Sequence, residues 1–316
     1  MVARTRKKGK RKRFVFRLKA KTKKKLKLVG HIFNFLLLAS FFYLLYESGF
    51  LPIQRKVEIK PSSLPTIEKV IAVDKSKPLI PLWKIRSRKV SLDKPKIAFV
   101  IDDIGNTLSY QDELVKLGDK VTYAILPMLP YSRTFSRLSQ KTGAEVILHL
   151  PLEAADGTIP GPGLITDRMP ESQVLDVLNR NLISVSPHVG VNNHMGSLGS
   201  KNPKLMGVIL QELKDRGLFY LDSYTTSQTT AVEIGSKINL PVLTRSVFLD
   251  NQNLRPSIEI KIAELAERAR KHGYAIGIGH YRPKTLRVLQ ARIPELINEG
   301  FEIISLSDLV AFQYSD

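Results

Sequence analysis

From Lys94 onward the chain alternates short apolar runs with amphipathic stretches. The apolar runs fall at 96–101 (KIAFVI), 120–126 (KVTYAIL), 145–150 (EVILHL), 188–192 (HVGVN), 218–221 (LFYL), 241–249 (PVLTRSVFL), 274–279 (YAIGIG) and 302–306 (EIISL). Short, β-branched and aromatic, they predict buried strands. Stretches with helical spacing lie between them, at 171–184, 203–216, 257–272 and 284–299. Strands alternating with helices of this length call for parallel pairing through right-handed crossovers. Seven or eight such units over residues 95–316 predict an α/β fold, a distorted β/α barrel, with an open doubly wound sheet as the alternative.

Upstream the pattern is of another kind. Leu28 to Tyr46 is 19 residues without a charge (LVGHIFNFLLLASFFYLLY), close to the roughly 20 that a spanning helix needs and longer than the about 7–15 of a signal-peptide core. No small-x-small cleavage signal follows it, so residues 28–46 read as an uncleaved transmembrane anchor. The 27 residues before it carry 15 Lys and Arg and no acid, most of the formal net charge of +20. Such an arm can bind phosphates, but beside a span it acts as a topology determinant. Residues 1–27 are therefore expected in the cytoplasm, with no nucleic-acid partner, and the C-terminal domain across the membrane. Between them, residues 47–94 hold scattered prolines without a helical period and read as an extended linker. Its Trp83 either packs on the domain edge or lies near the headgroups.

Polar, reactive residues gather where the predicted strands end, as a barrel site requires. Asp102 and Asp103 follow the first strand, and His149 and Glu153 the third. Asn192, Asn193 and His194 follow the fourth, Asp222 and Ser223 the fifth. Arg245 and Asp250 flank the end of the sixth, and His280 follows the seventh. Asp and His converging from separate strands suit a zinc-like ion with a position left for water. The ion acidifies that water while a nearby carboxylate takes its proton. Each residue also has a plainer role: Asp102-Asp103 as helix caps, His149 as a core histidine, Asp222-Ser223 as an N-cap, Arg245 and Asp250 as an ion pair. His188 and His272 are assigned to structure. Glycines 105, 196, 199, 277 and 279 suit close backbone approach to a ligand or tight turns, and the insert DGTIPGPGLITD (156–167) can wall or cover the site.

Six ordered blocks, VIDDIG (100–105), HLPLE (149–153), NNHMGS (192–197), FYLDSYTT (219–226), RSVFLDN (245–251) and IGIGHYRP (277–283), resemble the divergent polysaccharide deacetylase family over roughly residues 95–312. The resemblance implies a distorted polysaccharide-deacetylase barrel in a bacterial chain, exported or held at the inner membrane with its domain in the periplasm. It implies Asp102 as general base, Asp103 and His149 as ligands of a divalent metal, expected to be zinc, and His280 as general acid, with Asp222 or Asp250 orienting it. The family's second block places two histidines four residues apart, and here the second is Glu153. Either Glu153 or His194 completes the set, and His194 is favoured because it keeps the ligand type. Asn193 and Arg245 are further candidates at the site. The expected activity is removal of acyl groups from an N-acetylated cell-envelope polysaccharide. The alternative is a non-catalytic envelope-binding or scaffold protein that retains the fold.

Overall fold

The computed structural model describes residues 80–314. The basic arm 1–27, the segment 28–46 expected as an anchor and most of the expected linker lie outside the described residues, and among those described no helix is long and apolar enough to cross a membrane.

Among the described residues, nine strands form one parallel sheet: β1 (Lys96–Ile104), β2 (Thr122–Ile125), β3 (Glu145–Leu152), β4 (Gly190–Met195), β5 (Phe219–Asp222), β6 (Val242–Thr244), β7 (Val247–Phe248), β8 (Tyr274–His280) and β9 (Glu302–Ile303). Their order is β6-β5-β4-β3-β2-β1-β8-β7, with β9 also on β1. The run 241–249, expected as one strand, is split. Its first half pairs with β5 and its second with β8. Arg245 N–H donates to Asp222 O and Ser246 N–H to Ile276 O across the break, so one segment serves both edges of a curled sheet.

Helices α1 (Leu82–Arg86), α2 (Gln111–Val115), α3 (Ser132–Thr142), α4 (Glu171–Ser184), α5 (Pro203–Asp215), α6 (Ala231–Ile238), α7 (Arg255–His272), α8 (Pro283–Asn298) and α9 (Leu306–Tyr314) complete the unit. The four helices expected from periodicity are α4, α5, α7 and α8. Of the others, α1, α2 and α6 are short, and α9 buries both apolar and polar positions and so shows little 3.6-residue signal. Helix α3, eleven amphipathic residues, is one not foreseen from the sequence.

Alternation along the strands sorts side chains into two cores. Val146, Leu148, Leu150 and Leu152 point outward to the helices. Ala98, Val100, Ala124, Ile147, Leu221, Ile276 and Ile278 fill the concave side, together with Trp83 of α1 and Leu306, Leu309 and Val310 of α9. Trp83 is thus buried in the inner core, and the packed unit begins before position 95, within the stretch expected to be linker.

His188 has the structural role expected of it. Burial pushes its imidazole down to about 4 from 6.5, despite a contact from Nδ1 to the carbonyl of Val185. A depressed histidine stabilises the fold fully above its ordinary value, and that stability is lost as pH falls toward 4, because the unfolded chain takes the proton first. At 1.36 kcal/mol per unit the loss is about 3 kcal/mol. Urea unfolding at pH 7 and 4.5 should show a pH-dependent loss smaller by about this amount in His188→Gln; equal losses in both proteins would contradict it.

Candidate functional site

Register brings the site together. Asp102 on β1 stands opposite His280 on β8, and His149 on β3 opposite Asn192 on β4. His194 lies two residues beyond Asn192 and so faces the same concave side. The inner core therefore ends, at the C-terminal edge of the strands, in Asp102, His149, Asn192, His194 and His280. Parity would send Asp103 outward. It turns inward because the β1–β2 register shifts between Ile101 and Ile104 and Asp103 takes a left-handed φ of 57°. Met195 (54°) and Tyr224 (50°) share that backbone at neighbouring strand ends, the kind of strain that collects at functional sites.

Asp103 Oδ1 lies 3.0 Å from His194 Nδ1 and 3.3 Å from His149 Nε2, and the two ring nitrogens are 3.0 Å apart. Buried, Asp103 Oδ1 has no hydrogen-bond partner among the described residues. Three donors with bonds of about 2.0–2.1 Å to one tetrahedral ion stand about 3.3 Å apart, so this trio matches a divalent-cation site. His149 is held for it: the Asn192 amide NH₂ donates to Ser223 Oγ (3.2 Å), leaving its oxygen 3.0 Å from His149 Nδ1. His149 Nδ1–H donates to that oxygen, and the Nε2 lone pair is left facing Asp103 and His194.

The electrostatics agree. Burial opposes ionisation of Asp103, but His149 and His194 overcome it and hold its carboxyl far below the usual range. Burial pushes His149 toward its neutral, ligating form. Burial also pushes Asp102 well above the ordinary carboxylate range, against the pull of His280. Asp102 Oδ2 is 3.8 Å from His149 Nε2, and its Oδ1, 4.0 Å from His280 Nε2, is likewise buried without a partner.

Across from the trio, His280 Nδ1–H donates to Asp250 Oδ1 (2.6 Å). Asp250 Oδ2 accepts from the His280 backbone N–H (3.0 Å) and from the Thr285 hydroxyl (2.6 Å). Although burial disfavours its charge, Asp250 raises His280 to about 9. At neutral pH the imidazolium presents Nε2–H to the site, 4.0 Å from Asp103 Oδ2. Gly279 makes this possible, since a Cβ there would lie 2.8 Å from Thr285 Cγ2. A Cβ at Gly277 would strike Leu265 at 2.7 Å. Both glycines serve helix packing rather than approach to a ligand.

Several expected residues stand elsewhere. Glu153 accepts from the Asp167 backbone N–H (2.9 Å) and pins the base of the 156–167 insert. His194, not Glu153, joins Asp103 and His149. Asn193 has opposite parity to Asn192 and is committed to the Tyr220 hydroxyl, Ser223 N–H and Met195 O. Asp222 also has outward parity. It accepts from Tyr224 N–H (2.8 Å) and the Thr229 hydroxyl (2.7 Å), so Asp250 alone orients His280. Arg245 makes no ion pair with Asp250; it donates to Ser223 O and Tyr224 O and lies 3.7 Å over the Phe248 ring. Thr285 and Asn192's hold on His149 were not foreseen. A polar residue two positions before His194 on one strand was the available signal for Asn192; Thr285, far along the chain, offered none.

Residues 99–310 match the family model described as divergent polysaccharide deacetylase. An uncharacterized protein of Haemophilus influenzae is 32% identical over 219 residues, 69% of this chain and 78% of that protein. The uncharacterized protein YibQ of Escherichia coli is 30% identical over 201 residues, 64% of this chain and 63% of that protein. Among solved structures, the uncharacterized protein ATU2773 of Agrobacterium tumefaciens C58 superposes with a TM-score of 0.69 at 23% identity, covering 73% of this chain and 98% of that one. The likeness to ATU2773 is one of fold.

Proposed function

The chain belongs to the divergent polysaccharide deacetylase family, and from that premise we propose that it is a metal-dependent hydrolase removing acetyl groups from an N-acetylated cell-envelope polysaccharide. The observation that carries this reading is the orphaned Asp103 Oδ1 facing two imidazole nitrogens at ligand spacing. Asp103, His149 and His194 would hold a divalent cation, with zinc the best match to two nitrogens and one oxygen. When bound, the cation polarises an amide carbonyl and acidifies water.

The protein's own groups supply the proton transfers. Asp102, whose burial raises its proton affinity, takes the proton of the attacking water. Water oxygen bonds to the carbonyl carbon, the C–N bond breaks, and the departing nitrogen takes the Nε2 proton of His280. Asp250 and Thr285 keep that imidazole aimed. Acetate leaves, the amine takes the remaining proton of the water and leaves as an ammonium, and the proton on Asp102 returns to His280 through solvent, restoring both groups.

The test is acetate release from N-acetylglucosamine oligomers by the full chain, stripped with a chelator and then supplied with Zn, Co or Mn. Activity that vanishes and returns is expected. Cation binding with no acetate release under any metal would favour the envelope-binding alternative.

We place the domain outside the cytoplasm, anchored by residues 28–46 with the arm 1–27 inside, on the hydropathy and charge of that segment. A reporter active only in the periplasm, fused after Asp316, should be active; an inactive fusion would reverse the topology.

A further inference from the structure

The break between β6 and β7 leaves a cavity of about 790 Å³ beside the seam, lined among others by Tyr224, Arg245, Arg268, His272, Tyr274 and Tyr314. No aspartate or glutamate lines it among the described residues. Two of the Arg245 nitrogens are tied to Ser223 O and Tyr224 O, and Nη1 has no hydrogen-bond partner among the described residues. Arg268 is steadied by Glu264 through Nε and one Nη, which leaves its other terminal nitrogen without a hydrogen-bond partner among the described residues. A second cavity of about 820 Å³ shares Val232, Val242 and Tyr314 with the first. It carries Trp83, Lys84 and Lys214, again without an acid among its described lining. The two together form a basic, aromatic-lined track.

At Arg245 the track is joined to the candidate site through one intervening ring. The Arg245 guanidinium covers Phe248, and Phe248 stacks on His280 with planes 13° apart and centroids at 6.2 Å. We propose that this track is a subsite for an anionic sugar of the substrate glycan, placed beside the acetylated sugar whose leaving nitrogen meets His280. Guanidinium groups match carboxylate and phosphate oxygens in paired hydrogen bonds, and tyrosine rings offer flat faces with a polar tip to sugars. The subsite rests on the glycan-hydrolase reading above and narrows it to acidic glycans.

The test measures binding of three oligosaccharides of equal length to the full chain by calorimetry: neutral N-acetylglucosamine, an alternating N-acetylglucosamine–glucuronate oligomer, and a 6-phosphorylated oligomer. At least one anionic oligomer should bind about tenfold more tightly than the neutral one. The Arg268→Glu/His272→Glu variant should lose that preference and keep its affinity for the neutral oligomer. Equal affinity for all three would overturn the subsite. So would a preference that survives in the variant, since Arg268 and His272 would then not be what recognises the anion. Anionic preference without acetate release from any oligomer would leave the subsite standing and sink the hydrolase. Acetate release without the preference would do the reverse.

Discussion

Replacing Asp103 by asparagine and His149 by alanine together should abolish both cation content and acetate release, the latter by at least about 10³-fold. Asp103 is the one anion of the trio, and its Oδ1 lies within 3.3 Å of both imidazoles. Without it and His149, His194 is left as a lone ligand. Asparagine is the right replacement at 103, because it tolerates the left-handed backbone that the position requires and alanine does not. Thermal melting of the cation-free proteins separates loss of the site from loss of the fold. A double variant that melts near the wild-type temperature yet keeps full metal content would refute this ligand set.

Asp102→Asn should behave differently. Asp102 belongs to no close contact of the trio, with its nearest oxygen 3.8 Å from His149 Nε2. Metal content should therefore stay at the wild-type level while kcat falls by about 10²–10⁴, the usual range for a lost general base, with little change in KM. Metal loss in this variant would make Asp102 a ligand. A kcat within about threefold of wild type would remove it from the proton transfers.

The strands and the longer helices were legible because burial of both sheet faces writes continuous apolar runs, and amphipathic helices write a period. Asp102, His149, His194 and His280 were legible for the same reason, as reactive residues at the ends of those runs. From the strand pattern Asp103 was legible only as a neighbour of Asp102, and its ligand role came from the family resemblance. Its inward turn depends on a register shift against β2, a contact made across the sheet. Asp222 and Asn193 were misplaced because composition at a strand end does not carry parity, and parity sends both away from the inner face. The split of 242–248 between β5 and β8 depends on how far the sheet curls, which no local pattern encodes. Glu153 looked like a displaced ligand, yet its carboxylate is spent on Asp167 N–H in the insert. The histidine absent from that block is supplied in space by His194 from the next strand.

The central claim is that Asp103, His149 and His194 share one divalent cation. Crystals of the protein grown with excess zinc, measured on both sides of the zinc absorption edge, test it in a single anomalous difference map. The expected result is one strong peak enclosed by Asp103 Oδ1, His149 Nε2 and His194 Nδ1. A peak on Glu153, a peak between Asp102 and His280, or no peak at all would contradict it.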